Sequence, residues 1–565
     1  MACARSSAQT SDARSTSQQK KLKLRGASPW NRIQRWKILL VKLLKTFVAD
    51  ALLVGTEDKE NYLETAAPIS DLITNESDIV HAAESILLAA EAAETDIYDS
   101  NIADSNSAKS VANESDVASE TKEPDALDRP ITTKWLLKFA LPTIMATLVM
   151  NAFGMVDGVF AARFINPVAF AATGMVWPFI ALAMAVGFML SMGGSAVVAK
   201  KLGEGKTQEA RADFTTLTLV TFAVSILLAV WGLLFPETLM NILGVDEIVR
   251  PMAAQYLQPL LIMLPFAMVG FYIQQFFITD GKPSLGFILT LAGGLVSVGL
   301  NFLLIWHLGW ELRGAAIATG LGQSIPAIFG VLYFMRNRDG LLRFGQPTWD
   351  LKMLGNASLN GASEMVTMLA ASITSVVMNN ILIRLVGYEG VAAVSIMMVG
   401  QMLVASTFLG YAWGIAPIIG YNFGKQDQVR LKRLFKRSIG IIMAGVVLSI
   451  IAGWFLASPL TMIYVPQGTN IYQLAVVAFR FGLIGFLFMG INVFASTMFT
   501  ALSNGIVSGV LALLRTLVFI LFMLSLLPAI LDVNGVWLAL PAAELLAFGT
   551  TLFFFWKMRT KYGYY

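Results

Sequence analysis

Long apolar stretches separated by short polar breaks fill the chain from Trp135 onward. Each stretch is more than about 20 residues long, which is enough for an α-helix to cross a bilayer. The pattern therefore predicts an all-α polytopic membrane protein with twelve spanning helices. The predicted spans are residues 135–161, 169–195, 213–235, 252–276, 284–306, 314–335, 356–384, 391–415, 437–458, 471–495, 505–527 and 536–557.

The polar breaks between the predicted helices alternate in charge. About 18 Lys and Arg residues lie in one set of breaks, which includes 200–211, 336–343 and 424–437, and about five lie in the opposite set. Basic loops of membrane proteins stay on the cytoplasmic side, so the first set is predicted to be cytoplasmic. An even number of spans then places both termini in the cytoplasm.

Weak internal similarity indicates that the chain after residue 129 is a duplication. KKLGEGKTQEARADF resembles YNFGKQDQVRLKRLF and aligns Gly203 with Gly424, an offset of 221 residues. Six spans separate the copies, so both have the same orientation, and their pseudo-two-fold axis runs along the membrane normal. We expect two six-helix lobes, residues 129–344 and 345–565, with a small-molecule cleft between them.

The N-terminal segment has a different composition from the rest. The chain has 565 residues, 56% of them hydrophobic, yet 21 of its 37 acidic residues precede residue 129. Residues 1–128, basic at first and then acidic, cannot bury enough apolar surface to fold, which predicts a disordered cytoplasmic extension. Within it, residues 35–54 form a basic amphipathic pattern typical of a surface helix. The acid-poor start, residues 1–49, also fits a transit peptide, which would place the protein in an organellar membrane instead of the plasma membrane.

Motifs for metal or nucleotide chemistry are not found in the sequence. GEGKT (203–207) lacks the first glycine and the preceding strand of a phosphate-binding loop. One cysteine, Cys3, and two distant histidines, His81 and His307, do not form a metal-ligand pattern. We expect no enzymatic activity, metal, organic cofactor or nucleic-acid partner, and a monomer in the lipid bilayer. A twelve-span carrier without an ATPase motif then depends on an ion gradient.

Asp157 is the most unusual polar residue of the predicted helices. It lies inside the first span, where a charge costs several kcal/mol. Phe153, Gly154 and Ala161 share its helix face at spacings of three and four residues. Asp157 is therefore a candidate for binding the coupling ion, with a purely structural hydrogen-bonding role as the alternative.

Three more charged residues and several cleft candidates follow from the same reasoning. Glu364, Arg515 and Glu544 lie in the seventh, eleventh and twelfth spans, where either acid can pair with the arginine. Aromatic, Met and amide side chains suit flat cationic ligands. The cleft candidates are Phe153, Gln274, Gln275, Met378 and Tyr411. Further aromatic candidates for a pocket are Trp177, Phe271, Tyr272, Phe408 and Trp413.

The sequence from residue 129 onward resembles a known transporter family. LPTIMATLVMNAFGMVDGVFAARF, the following WPF and SAVVAKKLGEGKTQEAR, and the later GKPSLGFILTLAGGLVSVGLNFLLIWHLGWELRGAAIATGLGQ and NGVWLALPAAELL are similar to the multidrug and toxic compound extrusion (MATE) transporters, especially the bacterial MepA-type branch. The resemblance implies two six-helix lobes and export of cationic or amphipathic compounds by antiport against H⁺ or Na⁺.

The resemblance also implies roles for particular residues. Asp157 matches the ion-coupling aspartate of the first helix, and Pro142 matches a proline at which that helix bends. Asn301 and Thr319 match two further polar positions of the same ion site. Many members carry an aspartate four residues after the asparagine, where this chain has Ile305. A Na⁺ site would lose an oxygen ligand there, so we favour H⁺.

Two other functions are compatible with parts of the pattern. A lipid-linked precursor flippase of the same superfamily is the first. Such flippases usually have more spans or a strongly basic central cavity, whereas Arg515 is the main intramembrane arginine here. A membrane-embedded enzyme is the second, and it would need convergent His, Asp or Cys residues near a membrane face.

Overall fold

The computed structural model describes residues 127–160, 165, 167–247, 249–337 and 340–564. All regular structure within these ranges is helical, and twelve helices are long and apolar enough to cross a membrane, which confirms the predicted fold class. They are α1 (Thr133–Phe160), α2 (Pro167–Gly203), α3 (Thr207–Leu234), α4 (Arg250–Thr279), α5 (Pro283–His307), α6 (Glu311–Arg336), α7 (Leu351–Leu385), α8 (Tyr388–Gly424), α9 (Gln428–Met462), α10 (Asn470–Ala501), α11 (Gly505–Leu526) and α12 (Pro528–Tyr562). A short helix, Pro236–Ile242, follows α3.

Most of the predicted N-terminal extension, with its surface helix and the transit-peptide alternative, lies outside the described residues. Its last two residues are described. Leu127 is buried, and Asp128 pairs with basic residues that follow α8.

Local sequence signals account for several helix starts. Asp350, Asp427 and Thr469 accept a hydrogen bond from a backbone N–H in the first turn of α7, α9 and α10, at 2.8, 3.0 and 3.2 Å. Such capping satisfies one of the N–H groups that have no partner inside the helix. Proline occupies one of the first positions of α4, α5 and α12, where its missing N–H costs nothing.

The two halves of the bundle pack by the same scheme. In the N-lobe (α1–α6), α4 contacts α2, α3 and α6, while α5 contacts α1 and α6. In the C-lobe (α7–α12), α10 contacts α8, α9 and α12, while α11 contacts α7 and α12. Each contact in one lobe therefore has a counterpart six helices later, as the predicted parallel repeat requires.

Turn conformations repeat as well. Three turns of each lobe contain a residue with positive φ at matching positions. The pairs are Gly205 (78°) with Gln426 (58°), Gly281 (79°) with Ser503 (56°), and Glu311 (45°) with Asp532 (47°). Their sequence separations are 221, 222 and 221 residues. Glycine adopts positive φ without strain, yet it occupies only one position in each of the first two pairs and neither position in the third. Backbone shape is thus retained although the residue type has changed.

The two lobes have matching clusters of aromatic rings at the end of the bundle that carries the α2–α3 and α8–α9 turns. We call this end the turn end. In the N-lobe, Phe214 packs on Phe334 and Phe344 with ring centroids 4.8 and 5.0 Å apart. In the C-lobe, the ring distances from Phe435 to Phe555 and Tyr564 are 5.2 and 5.1 Å. In both lobes the last ring belongs to the segment after the final helix and folds back onto the lobe.

The segment between the lobes is fixed to the N-lobe. Asp280, in the turn between α4 and α5, accepts hydrogen bonds from the Leu342 N–H and the Tyr333 hydroxyl, both at 2.8 Å. Burial raises the pKa of Asp280, and these hydrogen bonds offset only part of that effect. Thr216 Oγ1 accepts from the Thr348 N–H at 3.0 Å, which holds the segment against α3.

The lobes meet through α1 with α8, and through α2 with α7 and α8. Their backbones touch near the turn end. A Cβ atom added to Gly203 would lie 2.0 Å from the Tyr421 carbonyl oxygen, and one added to Gly424 would lie 2.0 Å from that of Lys200. The two glycines that the sequence repeat aligns therefore contact the opposite lobe, and only glycine permits so close an approach. This end of the lobe interface is closed.

Candidate functional site

The predicted ion site of the N-lobe falls on three helices that contact one another, α1, α5 and α6. Asp157 lies in α1, in a stretch whose side chains are outside the described part of the structure. Phe153 and Phe160 of the same helix are described. The Phe153 ring lies against Gly294 of α5, and Phe160 is buried in a cluster with Ile305 and Ala315.

The two other predicted ion-site residues belong to α5 and α6. Asn301 is buried and lies directly before a π-helical segment, Phe302–His307. Such segments are frequent at functional sites. Thr319 Oγ1 donates to the Ala315 carbonyl oxygen at 3.0 Å. Ile305, at the position where the resemblance expects an acid, is buried among apolar side chains. The fold brings these helices together, while the ion-binding role of Asp157, Asn301 and Thr319 stays a prediction.

The C-lobe contains a buried charged group on α7, α11 and α12. Arg515 Nη1 lies 3.6 Å from Glu544 Oε1. Asn492 Nδ2 of α10 donates to Glu544 Oε2 at 2.7 Å. Glu364 interacts with the charge of Arg515 and with the Trp413 indole N–H, which does not reach the geometry of a normal hydrogen bond. Of the two pairings that the sequence permits, Arg515 with Glu544 is the one that reaches ion-pair distance.

Charge in this group is not balanced when all three side chains are ionised. Two carboxylates then face one guanidinium, a net charge of −1 inside the bilayer. Arg515 Nε and Asn492 Oδ1 are buried without a hydrogen-bond partner. Arg515 lies in a second π-helical segment, Leu514–Val518. The group is therefore incompletely satisfied, and uptake of one proton would neutralise it.

A small cavity of about 20 Å³ lies between the N-lobe and α8 of the C-lobe. Its walls are aromatic, Met and neutral polar side chains. The lining residues are Thr143, Thr147, Met150, Phe188, Ser191, Met192, Phe271, Gln274, Gln275, Ile278 and Trp413. None of these residues is charged. The cavity lies where the sequence predicts a cleft, between the lobes. Gln274 and Gln275, two of the predicted cleft residues, line it.

Three aromatic rings form one continuous surface of this cavity. The Phe188 ring lies 5.3 Å from the Phe271 ring and 5.4 Å from the Trp413 ring, measured between centroids. Gln275 Nε2 donates to the Trp413 carbonyl oxygen at 3.4 Å. Rings from α2, α4 and α8 thus meet across the lobe interface, where a flat ligand would contact both lobes.

Hydrogen bonds between α1 and α8 lie beside the cavity. Thr147 Oγ1 donates to the Ser406 carbonyl oxygen at 2.9 Å, and Asn151 Nδ2 donates to Ser406 Oγ at 2.5 Å. Pro142, the predicted bend in α1, directly precedes the cavity residue Thr143. A bend at this proline would move one wall of the cavity.

The other predicted cleft residues lie elsewhere. Met378 is buried in the C-lobe core, and the Tyr411 hydroxyl donates to Ser438 Oγ at 3.1 Å inside that lobe. Phe153 packs on α5, as described above. Trp177 is exposed, while Tyr272 and Phe408 are buried in the core. The lining residues that the sequence did not predict include Phe188, Met192, Thr143, Thr147 and Met150. A signal was present in α1, because Thr143, Thr147 and Met150 recur at spacings of four and three on one helix face.

Metal ligands are not grouped in the described part of the chain, where no set of three or more His, Cys, Asp or Glu side chains is arranged to hold a metal ion.

Comparison with known proteins agrees with this arrangement. The MatE family model matches residues 142–303 and 364–524, which is one match in each lobe and more than half of the chain. The multidrug export protein MepA of Staphylococcus aureus (strain MRSA252) is 24% identical over 433 residues, covering 74% of this chain and 92% of MepA. MepA of Staphylococcus haemolyticus (strain JCSC1435) is 23% identical over 443 residues, covering 76% and 94%.

Solved structures share the fold. A structure described as the outward-facing conformation of a multidrug resistance MATE family transporter of the MOP superfamily superimposes with a TM-score of 0.72. It is 19% identical, and the match covers 78% of this chain and 99% of that one. With its two family matches, twelve spanning helices and duplicated lobes, the chain belongs to the MatE family and is a MATE family transporter.

Proposed function

We propose that the protein exports cationic or amphipathic small molecules across the plasma membrane by antiport against H⁺. The observation that carries this proposal is the uncharged aromatic cavity between two duplicated lobes. The names of the MepA relatives support multidrug export. In the proposed orientation the turn end and both termini are cytoplasmic, because the basic loops lie there, and the protein acts as a monomer.

Substrate recognition follows from the chemistry of the cavity walls. The rings of Phe188, Phe271 and Trp413 attract flat cations through their π-systems, by about 0.5 to 2 kcal/mol for each well-placed ring. Met150 and Met192 adapt their shape to different ligands. Because the lining residues carry no charge, they select for aromatic and apolar surface more than for a particular charge pattern. A flippase for an anionic lipid-linked precursor would need basic residues at this place.

Coupling is assigned to Asp157 by its place in the helix. It follows Met150 by seven residues, so both positions share a face of α1 two turns apart. A charged carboxylate at bilayer depth costs several kcal/mol, and the neutral form does not. Gain or loss of one proton can therefore change which conformation of the helix is stable. We propose that protonation from outside lets α1 bend at Pro142 and release the substrate. Deprotonation toward the cytoplasm would restore the binding form.

The choice of H⁺ over Na⁺ is supported by Ile305. Na⁺ prefers several oxygen ligands, and a buried isoleucine at this place in the N-lobe provides none. A proton needs only a carboxylate.

Efflux from cells tests the proposed function. Ethidium efflux would be measured in drug-sensitive bacteria that carry the wild type or Asp157→Asn at equal surface level, with a proton uncoupler added midway. We expect wild-type efflux to stop with the uncoupler and the variant to show only background efflux. Efflux that survives the uncoupler but needs added Na⁺ would contradict H⁺ coupling. Full efflux by Asp157→Asn would contradict the role of Asp157.

A second experiment tests the cavity. Phe188→Ala should weaken ethidium binding to the purified protein about three- to thirtyfold, because one of three ring contacts is lost. Phe488→Ala is the matched control, since Phe488 packs on Phe548 with ring centroids 5.3 Å apart and is not among the residues that line the cavity. Equal affinities of the two variants would contradict the assignment of the binding site.

A further inference from the structure

The segment that leads into α1 is bound to the opposite lobe. Lys425 Nζ donates to both carboxylate oxygens of Asp128 at 2.7 Å each. Arg430 Nη1 donates to the Asp128 carbonyl oxygen at 2.9 Å and pairs with Asp128 Oδ1. Asp128 precedes the first helix of the N-lobe, whereas Lys425 and Arg430 belong to the C-lobe. One carboxylate therefore joins the two lobes through two bases.

Apolar contacts support the same segment. Leu127 and Ile131 are 1% and 7% exposed, in the core cluster that also contains Leu431 and Leu434 of α9. Residues 127–131 thus lie as a strap at the turn end, where ion pairs join them to the C-lobe and where their apolar side chains belong to a core shared by both lobes. We call the contacts of Asp128 with Lys425 and Arg430 the latch.

The repeat provides a counterpart to this strap. The segment that leads into α7, the first helix of the C-lobe, is held on α3 of the N-lobe. Gly345 N–H donates to Thr215 Oγ1 at 2.9 Å, and Thr348 N–H to Thr216 Oγ1 at 3.0 Å. Each lobe therefore binds the lead-in of the other. The α7 lead-in is continuous with the N-lobe chain, so it stays connected in any state. The α1 lead-in is held to the C-lobe by non-covalent contacts alone, so it can separate.

The latch also lies beside the contact that closes the turn end. Lys425 directly follows Gly424, whose Cα approaches the Lys200 carbonyl of α2. If the lobes separate here, α8 carries Lys425 away from the start of α1. Opening this end must therefore break both the glycine contacts and the latch.

We propose that the Asp128–Lys425–Arg430 latch is a conformational lock, which holds the turn end closed and is released each time that end opens during transport. This inference rests on the transport cycle proposed above, in which the protein alternates between a form that binds the substrate from the cytoplasm and a form that releases it outside. Asp128 binds Lys425 and Arg430 only while the turn end is closed. Loss of both contacts would therefore raise the population of the open state about fivefold, as expected for exposed ion pairs.

Cysteine labelling measures this opening without transport. The full chain with Cys3→Ser and Ala199→Cys would carry a single thiol at the turn end. Ala199 is fully buried, and its Cβ lies 3.2 Å from the Cβ position of Gly420 across the lobe interface. N-ethylmaleimide can reach it only when this interface opens. We expect Asp128→Asn to increase the labelling rate about fivefold and Asp128→Glu to restore the slow rate.

Two matched controls separate the latch from general effects. Asp427→Asn removes a carboxylate that lies 3.4 Å from Arg430 Nε within the same lobe, so it should leave the labelling rate unchanged. A thiol placed at Ala539, buried inside the C-lobe, should stay unlabelled in the Asp128→Asn background. The proposal would be overturned if Ala199→Cys were labelled at the same rate with Asp128→Asn as with wild-type Asp128. It would also be overturned if Asp128→Asn accelerated labelling of Ala539→Cys equally. Absence of ethidium efflux would count against the proposed function while leaving the labelling comparison intact.

Discussion

The N-lobe and the C-lobe share one helix arrangement but differ in what lies between matching helices. Gly293 of α5 lies so close to α6 that an added Cβ would be 2.4 Å from the Gly322 carbonyl oxygen. The residue 222 positions later is Arg515 of α11, whose guanidinium pairs with Glu544 of α12. The turns that lead into α5 and α11 nevertheless have the same shape, with positive φ at Gly281 and at Ser503.

The acids of the two lobes are not duplicated either. Asp157 of α1 corresponds, at an offset of 221, to Met378, which is buried in the C-lobe core. Arg515 is the single base among the buried residues that the structure describes. Turn shapes and ring clusters repeat because they fix how neighbouring helices pack. The interior polar residues have diverged between the lobes. The two lobes thus carry different interior polar residues on a common scaffold.

Removing Arg515 should have the largest effect on stability. Arg515→Ala leaves Glu364 and Glu544 without their base, and an unpaired buried charge costs about 3 to 5 kcal/mol. The thermal unfolding midpoint of the purified protein should fall strongly. Arg515→Gly combined with Glu544→Gln gives the C-lobe the residues found at the matching N-lobe positions, Gly293 and Gln323. That double variant should recover part of the loss, and a midpoint below that of Arg515→Ala would contradict the interpretation.

Gly293→Ala should have the next largest effect. The added methyl group collides with the backbone of α6, and such overpacking costs about 1 to 3 kcal/mol. Gly299→Ala in the same helix is the matched control, because no atom lies within 4 Å of the added Cβ. The control should be neutral or slightly stabilising, as Ala is about 1 kcal/mol better than Gly in a helix. Equal unfolding midpoints for the two variants would show that the α5–α6 contact is not required.

The repeated ring clusters predict equal and smaller effects. Phe344→Leu in the N-lobe and Tyr564→Leu in the C-lobe each remove two ring contacts, at a cost of about 1 to 2 kcal/mol. Tyr564→Phe retains the ring and removes the hydroxyl, which donates to the Phe555 carbonyl oxygen at 2.9 Å. Unfolding midpoints of the three variants would test the equivalence. A large loss for one Leu variant only would contradict it.

The smallest effect concerns the pH dependence of stability. Asp280 is buried in the α4–α5 turn, and the matching residue of the C-lobe, 222 positions later, is Leu502. Because burial raises the pKa of Asp280 in the folded protein, its contribution to stability is full at low pH and is lost as the pH rises through that raised value. Asp280→Asn should flatten this decline above about pH 4, the ordinary pKa of an aspartate. Unfolding midpoints across this range would measure it, and an unchanged slope would count against the assignment.

Sequence reasoning reached the fold because membrane helices are defined by length and hydropathy. The twelve spans and the alignment of Gly203 with Gly424 depend on local composition and on turns, and both appear in the structure. The pairing of Arg515 with Glu544 remained open, because it depends on how α11 and α12 cross and on a π-helical segment. The place of Phe188 also depends on how helices pack. From the sequence alone, a phenylalanine in an apolar helix that faces a cavity cannot be distinguished from one that faces lipid or the core.

Proton flux is the measurement that tests the central claim most directly. The purified protein would be reconstituted into vesicles with a trapped pH indicator, and ethidium would be added without any imposed gradient. The account predicts proton movement opposite to ethidium movement in the wild type and none above background in Asp157→Asn at equal protein content. Ethidium-driven proton movement that persists in Asp157→Asn would contradict it.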